Sequence, residues 1–193
     1  MLQIPVEDFL KFDLQKPLRL DRQFDLVVSL EVAEHLPSQC AETFTDSLVS
    51  LGEIVLFSAA IPFQGGTHHV NEQWPDYWVK IFQERGYVAI DCIRKRVWQN
   101  PNVEWWYAQN ILLFVKENCL ENYPALKAEF EKTNPSQLSI VHPEHFTGKS
   151  RSEEELKRLS SISNRPLREV LSCLLGLTKN ALKRRVAKTL PKN

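Results

Sequence analysis

A buried strand that ends in charged side chains is the feature that most constrains how this chain folds. Residues 24–29 read Phe-Asp-Leu-Val-Val-Ser, and the apolar, β-branched centre of that run predicts a buried strand. Residues 31–36 predict one or two helical turns, which Pro37 ends. Ligands of open α/β sheets bind just outside the carboxyl ends of the strands. The carboxylates and the imidazole that follow this strand are therefore expected to face a crevice.

Strand and helix patterns alternate through the first 117 residues. Residues 53–61 are apolar without alternation, which is typical of a strand buried on both faces of a parallel sheet. Strands that alternate with helices predict an α/β fold. The predicted strands are 9–14, 24–29, 53–61, 87–98 and 111–115, and the predicted helices are 40–51 and 75–85.

Several segments, taken in order, resemble class I S-adenosylmethionine-dependent methyltransferases. The family's fourth strand opens with an aspartate and closes with an E-V-x-E-H-like segment, which are here Asp25 and the residues Glu31 to His35. The segments that resemble later parts of the family are 55–62 (strand five), 65–75 (a substrate-side loop), and 87–90 and 111–115 (the closing antiparallel strands). The resemblance covers residues 2–116 and implies a Rossmann-like methyltransferase sheet.

The resemblance also implies a cofactor, S-adenosylmethionine, and residues that contact it. Residues 12–14 are similar to the family's acidic position after strand three, so Asp13 and Leu14 would contact the adenine. Ser29, Leu30 and Glu31 would line the cofactor.

The acceptor side of the implied site falls in residues 65–75. His68, His69 and Glu72 would face the acceptor as catalytic residues, with one histidine as general base for a hydroxyl. The alternative is a histidine pair that hydrogen-bonds Glu72 or backbone. The implied function is methyl transfer to an oxygen of a small molecule, sugar or glycan.

The family's first β-α-β unit, with its glycine-rich loop, has no counterpart here, and Gly65-Gly66 follows the wrong strand to replace it. In the family's sheet order, this leaves strand three without a neighbour and strand four as an unpaired apolar edge. We expect a truncated or mis-started reading frame. The competing hypothesis is a catalytically inactive remnant that acts as a binding module.

A metal site is a further hypothesis at the same strand end. Glu31, Glu34 and His35 stand at i, i+3 and i+4, positions that share one face of a helix. Two carboxylates and an imidazole suit Mg²⁺, Mn²⁺ or Zn²⁺, with His69 or His68 as fourth ligand. The segment resembles two metal-dependent branches, ubiquinone-pathway O-methyltransferases and small-RNA 2′-O-methyltransferases. The alternative is that Glu34 and His35 cap, pair or hydrogen-bond locally.

Aromatic side chains are concentrated between residues 74 and 107. Most are expected to pack in the core, although an extended Trp105-Trp106-Tyr107 segment would turn at least one ring towards the crevice. The residues concerned are Trp74, Tyr77, Trp78, Trp98, Trp105, Trp106 and Tyr107.

Residues 118–193 predict a helical extension to the α/β domain of residues 1–117. Its segment 166–190 predicts a basic amphipathic helix. Residues 165–193 hold eight Lys and Arg against one Glu, a net charge of +7, and since the chain is neutral, residues 1–164 carry −7. Docking on the acidic domain or a plain solvated helix is the favoured interpretation, ahead of peripheral membrane contact and, last, nucleic acid.

The remaining sequence features favour a cytoplasmic protein. The first residues lack the basic and apolar regions of a signal peptide, and no apolar run approaches the ~20 residues that span a bilayer. The four cysteines are widely spaced without a C-x-x-C pair, which predicts reduced thiols rather than a zinc ribbon.

Overall fold

The computed structural model describes residues 3–160 together with residues 167, 168, 171, 172 and 175. The chain divides into two compact units, Met1–His145 and Phe146–Asn193. The predicted boundary between residues 117 and 118 stays a prediction. Most of the predicted basic helix over residues 166–190 lies outside the described residues.

Within the described residues, four strands form one mixed sheet in the order β1-β2-β4-β3. β1 and β2 pair in parallel, with Val27 opposite Val55, and β4 runs antiparallel to both β2 and β3. The strands are β1 (Val27–Leu30), β2 (Ile54–Ser58), β3 (Tyr87–Ile90) and β4 (Leu112–Lys116). With the helices described next, this sheet confirms the predicted α/β class.

Six α-helices lie in the described part of the chain. Proline occupies the first turn of α2 and of α5, where its missing N–H has no intrahelical partner to lose. The helices are α1 (Ala41–Val49), α2 (Pro75–Gln83), α3 (Arg94–Val97), α4 (Trp105–Asn110), α5 (Pro124–Lys132) and α6 (Pro143–Ser160). Single 3₁₀ turns or short 3₁₀ helices cover Val6–Asp8, Ala33–His35, Ser38–Cys40, Glu117–Asn122 and Pro135–Gln137.

The larger part of the core lies between one face of the sheet and the helices α1 and α2. Phe82 of α2 stacks on Phe114 of β4 with ring centroids 3.9 Å apart. Phe57 of β2 and Trp78 of α2 pack beside them. On the other face, Leu113 and its neighbours pack against the Glu117–Asn122 helix and α5.

β1 lies at the edge of the described sheet, as the resemblance led us to expect for strand four. Its Val28 is 55% exposed, and Leu26 just before it is 46% exposed. The described residues therefore leave an apolar strand edge uncovered at the side where the site begins.

Three predicted segments differ in the structure. Residues 9–14 form no strand but a mostly exposed segment with a turn that begins at Asp13, since no strand of the described sheet pairs with them to complete a ladder. Residues 87–98 form a strand only as far as Ile90, and α3 follows because Arg94 folds inward to pair with Asp91. Trp105 to Tyr107 are helical rather than extended.

No described helix is both long enough and apolar enough to cross a membrane. Cys40, Cys92 and Cys119 are free thiols, as predicted, and Cys173 lies outside the described residues.

Candidate functional site

The junction after β1 is held by a strained residue. Glu31 has a φ of 52°, a left-handed conformation that side-chain-bearing residues rarely adopt. Its N–H lies 3.0 Å from the Ser58 carbonyl and 3.1 Å from the Ser58 hydroxyl, so the end of β2 fixes it. Glu31 lies two residues before the 3₁₀ turn Ala33–His35. The prediction that Glu31, Glu34 and His35 share one face of a helix is wrong, because only Ala33–His35 is helical, as a single 3₁₀ turn in which Glu34 and His35 are consecutive.

Glu34 is fully buried within that turn. Its backbone carbonyl accepts from the N–H groups of Val70 and Asn71, which fastens the loop after β2 to the end of β1. Neither carboxylate oxygen has a hydrogen-bond partner among the residues that the structure describes. Burial raises the pKa of the Glu34 carboxyl to about 7, and the nearby Glu31 adds to this rise while His69 opposes it.

The His69 ring is oriented by Glu72. The Nδ1 atom lies 3.0 Å from the Glu72 Oε1, and Glu72 is itself held by the N–H groups of Phe63 and Gly65 at 2.8 and 2.7 Å. Since a carboxylate only accepts, Nδ1 carries the proton and donates. This leaves Nε2 on the opposite side of the ring, 4.0 Å from the Glu34 Oε1.

His35 completes a cluster of three groups able to hold a metal. Its Nδ1 faces the His68 carbonyl at 3.4 Å, and its ring meets the His69 ring edge-on at 4.9 Å. One ligand atom from each of Glu34, His35 and His69 lies within 4.8 Å of the others. The unpartnered oxygens of Glu34 and the acceptors behind both imidazoles fit a divalent cation, because metal-bound histidines usually donate their second N–H in this way.

These groups line one side of a cavity of about 290 Å³. Two indole rings from the start of α4 also line it. The lining residues are Glu31, Glu34, His35, Gln64, Gly65, His69, Trp105 and Trp106. Aromatic rings together with a cluster of polar groups are the usual composition of a small-molecule site.

The predicted site residues do not all reach this cavity. The structure brings Glu31, Glu34, His35 and His69 together on its wall, and Glu72 stands behind His69. His68 is exposed at a φ of 61°, and its carbonyl rather than its ring contacts the cluster.

The predicted adenine and cofactor contacts fit less well. Asp13 is exposed and binds within its own turn, to the Gln15 N–H at 3.1 Å and to Lys16 at 3.7 Å. Leu14 packs against the core, and Ser29 and Leu30 lie within β1, the Ser29 hydroxyl being buried. None of these four residues lines the cavity. Of the predicted cofactor contacts, only Glu31 lines the cavity.

Sequence reasoning missed the amides at this site. The Asn110 Nδ2 lies 3.1 and 3.3 Å from the two Glu31 carboxylate oxygens, and the Gln64 Nε2 lies 3.0 Å from one of them. The polar pair Gln109-Asn110 directly before an apolar strand was the available signal, since polar side chains buried there need partners.

No protein-family model and no curated protein sequence matches the chain.

Proposed function

We propose that the chain carries the acceptor side of an S-adenosylmethionine-dependent O-methyltransferase. The acceptor is a hydroxyl of a small molecule, sugar or glycan. The observation that carries the proposal is the hydrogen-bonded pair Glu72–His69, whose histidine lines a cavity at the carboxyl end of β1. A histidine held by a carboxylate through Nδ1 is the usual arrangement for a general base.

We also propose that the sheet is a Rossmann-like class I methyltransferase sheet without its first β-α-β unit. Two observations support it. The strand that ends in E-V-A-E-H lies at the sheet edge, where removal of that unit would leave it. The last strand runs antiparallel to both neighbours, in keeping with the closing antiparallel strands of the family.

The chain's own residues have separate tasks in this proposal. Trp105 and Trp106 pack against the acceptor ring and limit the water around it. The Nε2 of His69 takes the proton from the acceptor hydroxyl, while Glu72 holds the imidazole in the required tautomer. The cofactor, when bound, supplies the methyl group. A positioned base of this kind contributes roughly 10²–10⁴-fold in rate.

Methyl transfer from radiolabelled S-adenosylmethionine to a panel of phenols and sugars tests the proposal. His69→Gln is expected to lower kcat by about 10²-fold or more. The matched control is His68→Gln. This variant is expected to keep most of the activity, because His68 does not line the cavity. Equal losses in both variants, or transfer unaffected by His69→Gln, would exclude His69 as the base.

A metal-dependent variant of this function is favoured by one observation, the two unpartnered carboxylate oxygens of the buried Glu34. Glu34, His35 and His69 would hold the cation, which would lower the pKa of a bound hydroxyl. The RNA 2′-O-methyltransferase alternative depends on this site. It requires activity that EDTA abolishes, that Mn²⁺ restores, and that both Glu34→Ala and His35→Ala remove. Activity that persists in EDTA would exclude it.

The competing hypothesis, an inactive remnant that acts as a binding module, is favoured by the position of Asp13 away from the cavity. It predicts acceptor binding without binding of S-adenosylhomocysteine. Titration with S-adenosylhomocysteine, which needs no turnover, therefore distinguishes the methyltransferase from the inactive remnant.

A further inference from the structure

Gln109 lies at the end of α4, fully buried, and its carboxamide has one allowed orientation. The Oε1 accepts from the His142 backbone N–H at 2.8 Å and lies 3.2 Å from the His145 Nδ1. Because a backbone N–H can only donate, the amide cannot be turned over. The Nε2 group must then point the other way, towards the Asn110 Oδ1 at 2.9 Å and the Gln64 Oε1 at 3.2 Å.

The next two amides have equally fixed directions. The Gln64 Oε1 accepts from the Ile61 N–H at 3.3 Å and from the Asn110 Nδ2 at 2.9 Å. Both amides then donate to Glu31, whose carboxylate only accepts. The hydrogen bonds thus run in one direction, from the His142 backbone through Gln109, Asn110 and Gln64 to the carboxylate on the cavity wall.

Gln109 also contacts the group that packs against an indole of the cavity lining. The His145 ring stacks on Trp105 with centroids 4.9 Å apart and planes 22° apart. Its other nitrogen, Nε2, lies 3.3 Å from the Phe63 carbonyl. Gln109 therefore contacts two residues that support the cavity lining. Asn110 donates to the Glu31 carboxylate, and His145 stacks on the Trp105 indole.

We propose that Gln109 is a positioning residue of this cavity, which fixes the direction of the amide chain that ends on Glu31. A chain of buried amides in one orientation polarises its members and holds the terminal carboxylate in place. The effect of Gln109 on acceptor binding rests on the function proposed above. Its effect on the orientation of Glu31 is independent of that function.

The test compares two isosteric changes with a matched control. Gln109→Met removes every side-chain hydrogen bond of Gln109. Gln109→Glu keeps an acceptor for the His142 N–H but replaces the NH₂ group that donates to Asn110 and Gln64 by an oxygen. Gln73→Met is the control, because Gln73 is a half-buried glutamine whose Nε2 bonds to Asn71 outside the chain of amides.

The first readout is the side-chain NH₂ signals of Asn110 and Gln64 in ¹⁵N-labelled whole chain, which needs no ligand. Both Gln109 variants are expected to shift these signals, because the Asn110 Oδ1 and the Gln64 Oε1 both lose the Gln109 Nε2 as their donor. Glu31→Gln should perturb the same signals from the other end, and Gln73→Met should not. Unchanged Asn110 and Gln64 signals in Gln109→Met would overturn the proposal.

The second readout is methyl transfer with the acceptor that the wild-type chain accepts. Loss of orientation without unfolding predicts a rise of about tenfold in KM for the acceptor in both Gln109 variants, with circular dichroism at the assay temperature equal to that of wild type. If wild type transfers no methyl group, the proposed function fails, and the amide signals still decide the role of Gln109. Altered signals with an unchanged KM in both variants would restrict Gln109 to a structural role and overturn the positioning role.

Discussion

Gly66 shows how a residue without a side chain determines where a functional group lies. The His69 imidazole occupies the space next to the Gly66 Cα, and a Cβ there would collide with the ring. Gly66→Ala is therefore expected to displace the ring and break the His69–Glu72 hydrogen bond, at a cost of about 1 kcal/mol in unfolding free energy. The measurement is loss of the hydrogen-bonded Nδ1–H proton signal of His69 by NMR.

Gly148→Ala is the control for this change. A Cβ at Gly148 meets nothing within 4 Å, and alanine is the better helix former, so stability should stay equal or rise slightly. A Gly66→Ala variant that keeps the His69 Nδ1–H signal would contradict the account.

The raised pKa of Glu34 makes stability depend on pH in a defined direction. Its folded pKa is about 7, above the ordinary value of about 4.5, so the folded chain holds a proton that the unfolded chain releases between these values. The contribution is fully present below about pH 4.5 and is lost as pH rises through about 7. Wild type should therefore lose roughly 3 kcal/mol relative to Glu34→Gln across this window.

Denaturant unfolding of both proteins from pH 4.5 to 8, in EDTA, measures this difference. Glu84→Gln changes an exposed glutamate and should follow wild type at every pH. A gap between wild type and Glu34→Gln that is constant with pH would show that Glu34 has an ordinary pKa.

At the scale of elements, β1 exposes an apolar edge. Val28 is expected to promote association of the isolated chain, because an uncovered strand edge pairs with other strands. Val28→Lys should reduce association while changing unfolding free energy by no more than ~0.5 kcal/mol. Sedimentation velocity measures the effect. The control is Val70→Lys, an equally exposed valine off the sheet. Equal association of wild type and Val28→Lys would contradict this interpretation of the edge.

Helix α3 depends on one buried cation. Arg94 bonds both carboxylate oxygens of Asp91, at 2.9 and 2.7 Å, and the carbonyls of Gln109 and Leu138, at 3.2 and 2.7 Å. Arg94→Met leaves Asp91 and these carbonyls without their donor, so we expect a loss of about 3–5 kcal/mol in chemical denaturation. Lys95→Met, at the exposed neighbouring position, should stay within ~0.5 kcal/mol of wild type. A loss below ~1 kcal/mol for Arg94→Met would contradict the buried pair.

The elements that the sequence predicts correctly are those whose burial pattern is local. The apolar centres of residues 53–61 and 111–115 lie in β2 and β4, and Pro75 begins α2 as predicted. Residues 9–14 are also largely apolar, but no strand of the described sheet pairs with them, and tertiary pairing decides that outcome. The helix at Trp105 could not be distinguished from a strand, because three successive aromatic residues have no period.

At the scale of the whole molecule, the site combines groups that are far apart in sequence. Glu34 and His35 were predictable because they follow a strand, and His69 because a histidine pair follows the next strand. The amides of Gln64, Gln109 and Asn110 were not, since their role depends on directions of hydrogen bonds that only the folded chain sets. The exposed position of Asp13 was not predictable from the resemblance either, because its carboxylate binds Gln15 and Lys16 within its own turn.

Calorimetric titration of the whole chain with S-adenosylhomocysteine tests whether the cavity at the end of β1 belongs to the proposed methyl-transfer site. We expect a Kd of about 10 μM, weakened about tenfold or more in Glu31→Ala, because Glu31 lines the cavity. No detectable binding at about 1 mM ligand, or binding that Glu31→Ala leaves unchanged, would contradict this proposal.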